Sequence, residues 1–379
     1  MRSVKTKLFS LALAVSMVLA LAGCNMSAPS TVGSIGGVEI PAGIYLMAQY
    51  NAYNTASGVA DLATGETASD VKAVLKAECT GTIGDEEVTA TGSEYVARLT
   101  TRSLEYYAAV EKEFADRNGV LDDAATAEAA NSADSLWSSN GDLYTANGIA
   151  KSTVETYLLN TQKAKALLKM TYGAGGSAPV TDDEYTAYVN DSCYYIEAVQ
   201  FPLMNYSSYT FADDDQKAAI RASAESCLAE LKETATAETA SNSALYTAAM
   251  TYVPQAMSAL GTDMDASQAV YYASSQLYTP DDLASYGSDE YNNLTDPLDE
   301  AGLNNWTVID LGTTILVARR IDPFKTYSVE DLNNMYDLLS DMKSTDLQDD
   351  LYAAGAALEH DLNSSAMNTY SASKIKKNV

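Results

Sequence analysis

The feature that most constrains the fold is a break. Gly173-Ala-Gly-Gly-Ser-Ala-Pro179 is small, flexible and turn-prone, and the sequence reads differently on its two sides. Before it, apolar residues recur at helical spacing. From Ser93 to Asn118, Tyr95, Val96, Leu99, Leu104, Tyr107, Val110 and Phe114 fall near one face, which predicts a core-facing helix. Ala124 to Leu136 is alanine-rich and helix-prone, with Gly141 and Gly148 expected to break the chain after it. Ser152-Thr-Val-Glu155 has the form of a capping box, and Val154, Tyr157, Leu158, Thr161, Lys165 and Leu168 put one mainly apolar stripe on the helix that follows.

After the break, a second capping box, Thr181-Asp-Asp-Glu184, opens a short helix. A strand is predicted from Cys193 to Leu203, with amphipathic helices over Asp213 to Thr234 and Ala244 to Leu260. A β-prone pair, Trp306 to Asp310 and Thr314 to Ile321, follows around Gly312. Strand, helices and a terminal hairpin make an α+β arrangement. Ser328-Val-Glu-Asp331 starts a last helical stretch with Leu332, Met335, Leu338, Leu339 and Met342 on its apolar side. The remainder is read as helix and then a solvated basic tail, Lys374-Ile-Lys-Lys377.

The opening residues carry a different signal. Arg2, Lys5 and Lys7 form a basic region ahead of the apolar run Leu8 to Ala22, which is too short to span a bilayer comfortably. It ends in Leu21-Ala22-Gly23-Cys24, which looks like a bacterial lipobox, so cleavage before Cys24 and a lipid anchor on that cysteine are expected. Acyl chains on one residue hold a protein at a membrane without a spanning helix. A Ser/Ala/Pro/Thr stretch to about Thr31 then reads as a flexible tether. Val32 to Ile40 contains the tight-turn pair Gly36-Gly37, and Ile44-Tyr45-Leu46-Met47 starts a helix after Pro41.

Loss of residues 1–23 removes three positive charges and leaves 20 basic against 51 acidic residues, a net of −31. Such a chain is a poor partner for nucleic acid. Its charge reads first as a solvated acidic surface. Besides Cys24 there are Cys79, Cys193 and Cys227, with no metal-ligand spacing; Cys193 and Cys227 fall in one expected domain, where an oxidising compartment allows either a disulfide or free thiols. One histidine, His360, serves the whole chain, which excludes most histidine chemistry. Tyrosine is abundant, 26 against 5 phenylalanines, and each is read as half-buried core before binding surface. No phosphate loop, nucleophile elbow, zinc pattern, calcium loop or internal repeat appears, and no metal or cofactor is implied.

Four pieces, in order, resemble the PrsA/SurA-type foldases. Val32-Gly-Ser-Ile-Gly-Gly-Val-Glu-Ile-Pro41 is similar to that family's opening strand-turn-strand. Asn147-Gly-Ile-Ala-Lys-Ser-Thr-Val-Glu155 is similar to a helix start, and Val180-Thr-Asp-Asp-Glu-Tyr-Thr-Ala-Tyr188 to the beginning of its parvulin domain. Ile309 to Ile321 resembles the closing strand pair. The resemblance implies an exported helical chaperone domain, a parvulin-type peptidyl-prolyl isomerase domain and a C-terminal helix returning to the first. The family's catalytic histidines do not carry over: Ala198-Val-Gln-Phe-Pro-Leu203 puts Gln200 at the first, and Gly312-Thr-Thr-Ile-Leu-Val317 puts Thr314 at the second. The Gly-Gly-Asp-Leu-Gly loop that shapes the proline pocket in active members is also missing. Lowering a rotation barrier of about 18–20 kcal/mol needs a shaped pocket and a tuned polar cluster.

The expectation is therefore an α+β chain: a signal peptide over 1–23, a tether over 24–33, a mainly helical chaperone-like domain over 34–178, a smaller degenerate parvulin-like domain over 179–324, and a C-terminal helical segment over 325–379 that completes the first domain. The expected function is that of a lipid-anchored, extracytoplasmic chaperone binding unfolded or exported polypeptides without isomerase activity. An active isomerase with displaced catalytic residues, and a solute-binding lipoprotein of a transporter, are the alternatives. The latter needs two lobes of alternating strands and helices.

Overall fold

The computed structural model describes residues 29–236, 242–284 and 288–377, and Cys24 with the expected cleavage site lies outside them. The class is α+β, with small antiparallel sheets. No described helix is long and apolar enough to cross a membrane. The chain divides into two compact units: residues to Leu167 together with those from Gln348 form one, and Leu168–Leu347 the other.

In the first unit, β1 (Thr31–Ile35) begins inside the stretch read as a tether, because its backbone is paired on both edges. It turns at Gly36-Gly37 into β2 (Val38–Pro41), then α1 (Ala42–Gly58), the short α2 (Val71–Lys76), the hairpin β3 (Glu78–Ile83) and β4 (Glu86–Thr91), and α3 (Gly92–Asp116). Thr91 and Glu94 form a capping box at the start of α3 that sequence reading passed over. Val32, Ile35 and Ile40 of the hairpin, Ile44, Tyr45 and Ala48 of α1, and Leu104, Tyr107 and Ala108 of α3 share one buried cluster.

Helix α4 (Asp123–Ala146), capped by Asp122, runs straight through Gly141. A Cβ at Gly141 would meet the Trp137 indole at 3.1 Å, and the chain turns out of the helix after Ala146, through Gly148 (φ +75°). Helix α5 (Lys151–Tyr172) starts one residue before Ser152, and the Ala150 carbonyl accepts from Thr153 and Val154. Ser152 is thus inside the helix, and the predicted capping box is not formed.

Past Gln348 the chain is not helix to its tail. Strand β11 (His360–Leu362) pairs antiparallel with β1, Ser34 opposite Asp361, giving the sheet order β11-β1-β2. Gly33 makes this pairing possible: its φ is +118°, and a Cβ there would sit 2.2 Å from the Asp361 carbonyl oxygen. The basic tail is also held rather than solvated. Lys377 donates to Asn54 Oδ1 at 2.6 Å and lies over the Tyr50 ring, while the Lys376 backbone exchanges hydrogen bonds with the Asn147 side chain.

The second unit holds α6 (Asp182–Ser192), started by the expected Thr181/Glu184 capping box. Next come β5 (Tyr194–Pro202), the small hairpin β6 (Met204–Asn205) and β7 (Thr210–Phe211), α7 (Asp214–Thr234), α8 (Asn242–Ala259) and a 3₁₀ segment, Ala266–Tyr272. Then follow β8 (Ala273–Tyr278), α9 (Pro280–Ala284), α10 (Ser288–Ala301), β9 (Thr307–Asp310), β10 (Thr314–Ile321), and α11 (Val329–Asn333), which the Ser328/Asp331 box caps. Helix α12 (Tyr336–Ala356) comes after it and runs past the boundary at Leu347, while α13 (Ser364–Thr369), after β11, belongs to the first unit.

The sheet of this unit is antiparallel throughout, in the order β8-β5-β10-β9. Alternate residues serve opposite faces. Val199, Phe201, Ile315 and Val317 pack with Ile220, Ala224 and Cys227 of α7 and Leu245, Ala249 and Val253 of α8; Ile196, Ala198, Leu316 and Ala318 pack with Leu283 of α9 and Leu294 and Leu298 of α10. With helices on both faces, β5 is buried along most of its length despite carrying Glu197 and Gln200. The first face also holds a cross-strand ion pair, Glu197 with Arg319, 2.7 Å apart and 1 % and 0 % exposed. Arg319 also donates to the Ala235 carbonyl at 3.0 Å and lies over the Trp306 ring.

Candidate functional site

The two positions at which the resemblance places catalytic histidines fall on neighbouring strands. Gln200 of β5 stands opposite Leu316 of β10, and Thr314 opposite Pro202, so the two side chains are diagonal neighbours on one face of the sheet. Gln200 is the one exposed residue of β5. Thr314 spends its hydroxyl proton on the Phe201 carbonyl at 3.1 Å. Ser274, opposite Ala198, shares that face. Amide and hydroxyl groups donate and accept hydrogen bonds, but neither titrates near neutral pH.

The sheet leads directly from these residues into an aromatic hairpin. Leu203 N donates to the Thr313 carbonyl at 2.9 Å and Ala212 N to the Leu203 carbonyl at 2.8 Å, which clamps the root of β6 and β7 to the end of β10. Asn205 is the pivot. Its Oδ1 accepts from the backbone of Ser207 and Ser208, an Asx-type turn, and its Nδ2 donates to the Leu260 carbonyl and the Thr262 hydroxyl. The tip therefore projects Tyr206, Tyr209 and Phe211, which are 55 %, 79 % and 61 % exposed. Tyr209 takes φ +55°, a left-handed conformation that costs a residue with a Cβ about 1–2 kcal/mol. Strain of this kind concentrates at functional sites. Tyr206 approaches the half-buried Tyr272, whose phenol is pushed up by burial and by that neighbour. Tyr271, the residue before Tyr272, is also exposed.

Around the hairpin the charge is acidic. Asp213, Asp214 and Asp215 follow Phe211 and Ala212, and Asp263 and Asp265 follow Thr262, all exposed. Ser267 donates its backbone N–H and hydroxyl to Asp265 and holds that carboxyl below its usual range. Lys217, one turn into α7, is the nearest cation in sequence.

A second polar cluster lies elsewhere in this unit. Tyr188 donates to Asp341 Oδ2 at 3.2 Å, and a hydrogen bond with the Asp341 carboxyl raises the pKa of Asp281. The Cys193 thiol is pushed up to about 12, by burial first and then by Asp341 and Asp282. Burial, with Glu230 adding to it, does the same to Cys227, also to about 12. All three described cysteines are free and buried, so Cys193 and Cys227 do not pair. Among the described residues no group of histidine, cysteine and carboxylate side chains is arranged to hold a metal ion.

The projecting aromatics were not singled out from sequence, although Asn205-Tyr-Ser-Ser-Tyr-Thr-Phe211 carries a usable signal: turn-forming Asn and Ser between aromatics. No protein-family model matches the chain, and no curated protein matches it either.

Proposed function

We propose that the protein is a lipid-anchored, extracytoplasmic chaperone that holds unfolded exported polypeptides, with its second unit a parvulin-like module used for binding rather than isomerisation. The hairpin carries the proposal: three large aromatic side chains stand in solvent at the end of the sheet, one of them in a strained backbone conformation. Adaptable aromatic area of this kind binds extended chains of varied sequence. Supporting it is the order of strand, helices and closing strand pair, in which β5 and β10 lie side by side and bring Gln200 and Thr314 together. With an amide and a committed hydroxyl at those places, the sheet offers hydrogen bonds to a bound backbone but no acid–base pair. Anchorage through Cys24 would keep the hairpin near the membrane surface where exported chains emerge.

Two assays on one sample of protein lacking residues 1–23 test it. Light scattering of a denatured client should show delayed aggregation at stoichiometric protein, and a protease-coupled proline assay should show only the uncatalysed rate. Reproducible acceleration of proline isomerisation would replace the proposal with an active isomerase. Failure to slow aggregation at a molar excess would remove the chaperone function altogether.

A further inference from the structure

Aromatic surface alone would take any unfolded chain, but the surroundings of this hairpin are chemically one-sided. We infer that the hairpin Tyr206–Phe211, with the carboxylates that flank it, is a docking surface for extended polypeptide segments rich in Lys and Arg, an inference that rests on the client-binding function proposed above. Tyr206, Tyr209 and Phe211 leave most of their aromatic area open to solvent. Aromatic ring faces attract guanidinium and ammonium groups. Asp213, Asp214 and Asp215 follow on the same length of chain, and Asp263 and Asp265 lie just past Thr262, which Asn205 ties to the base of the hairpin. Asp213 spends one oxygen on Gln216 N as the cap of α7, and Asp265 binds Ser267; Asp214 and Asp215 are exposed in the first turn. Against these, Lys217 is the one cation within residues 206–220 and 258–272, and Arg221 is engaged by Glu225 and Asp310.

A basic aromatic segment thus finds both halves of its chemistry here: rings for its cations and apolar side chains, and carboxylates for its remaining charge. An acidic segment is repelled by the same groups. Charge of this arrangement sets selectivity and association rate, and it weakens with salt.

Fluorescence anisotropy with three labelled peptides of equal length and aromatic content, bearing Lys/Arg, Ser or Glu at the variable positions, measures the preference. At low salt the basic peptide should bind at least tenfold tighter than the neutral one, and the gap should close at high salt. Asp214→Asn/Asp215→Asn should cut the preference to threefold or less while leaving the neutral peptide unchanged. Tyr209→Ser should weaken all peptides. Glu86→Gln/Glu87→Gln, exposed on β4 in the first unit, removes equal charge elsewhere and should leave the preference intact. Circular-dichroism melts establish that each variant is folded. If basic and neutral peptides bind equally, if the β4 variant has the same effect as the α7 variant, or if Tyr209→Ser changes nothing, the docking surface is wrong while client binding stands. If no peptide binds and aggregation is not delayed, the proposed function itself has failed.

Discussion

The buried pair Glu197–Arg319 offers the sharpest test of the second unit. Arg319→Leu leaves a carboxylate that is 1 % exposed with its cationic partner gone. Removing one member of such a pair costs about 3–5 kcal/mol, because the remaining charge is neither solvated nor matched. The lost bond from Arg319 to the Ala235 carbonyl adds little, since Trp306 Nε1 also donates to that oxygen at 3.3 Å. With a urea m-value of about 2 kcal/mol/M, the transition midpoint should fall by about 2 M. Of the two tryptophans, Trp306 belongs to this unit and Trp137 to the other, so a Trp137→Phe background isolates the transition of interest by fluorescence. The double variant Glu197→Leu/Arg319→Met fills the same space with apolar groups and should return to within about 1 kcal/mol of the parent, or exceed it. A loss below about 1 kcal/mol for Arg319→Leu, or a double variant no more stable than the single, would show that the two charges are not buried against each other.

Three further outcomes are expected. Gly33→Val forces a β-branched residue into φ +118° against the Asp361 carbonyl; the loss of about 2–4 kcal/mol should lower the melting temperature that Trp137 reports by about 5 °C or more. At pH 8 the native protein lacking residues 1–23 should leave Cys79, Cys193 and Cys227 unlabelled by a thiol reagent, and all three should react once it is denatured, because burial raises each thiol above its ordinary value. Asp281 titrates above its ordinary value of 3.8 beside Asp341, so its contribution to stability is fully present below that value and is lost as pH rises through the folded-state pKa; urea titrations should find Asp341→Asn more stable than the parent at pH 7, with the gap gone below pH 4.

What was legible in the sequence was local. The strand Thr314–Ile321 announced itself as an uninterrupted β-prone run, and the boxes at Thr181 and Ser328 marked helix starts because capping chemistry needs only residues three apart. Ser152 misled for the complementary reason: the pattern was present, but the backbone had entered the helix one residue earlier. Strand β11 left no trace. Three residues, His360-Asp-Leu362, are too few for a period, and they are extended because Gly33 opens room for them. Lys377 looked like a solvated tail, and nothing in Lys374-Ile-Lys-Lys377 encodes the distant Asn54 that receives it. At the candidate site, the β-prone pattern of both segments set Gln200 and Thr314 on strands, which pair as β5 and β10, but composition cannot distinguish a tyrosine on a projecting hairpin from one in a core.

The pairing of β1 with β11 has a temporal side. A chain made or threaded N-terminus first presents β1 early, yet the strand that covers its free edge follows only after the whole of Leu168–Leu347 has emerged. Until then β1 has a bare edge open to any extended segment nearby. The second unit is continuous in sequence and has no such wait, so it should finish folding first, leaving closure of the first unit as the late, slow event set by long-range loop closure.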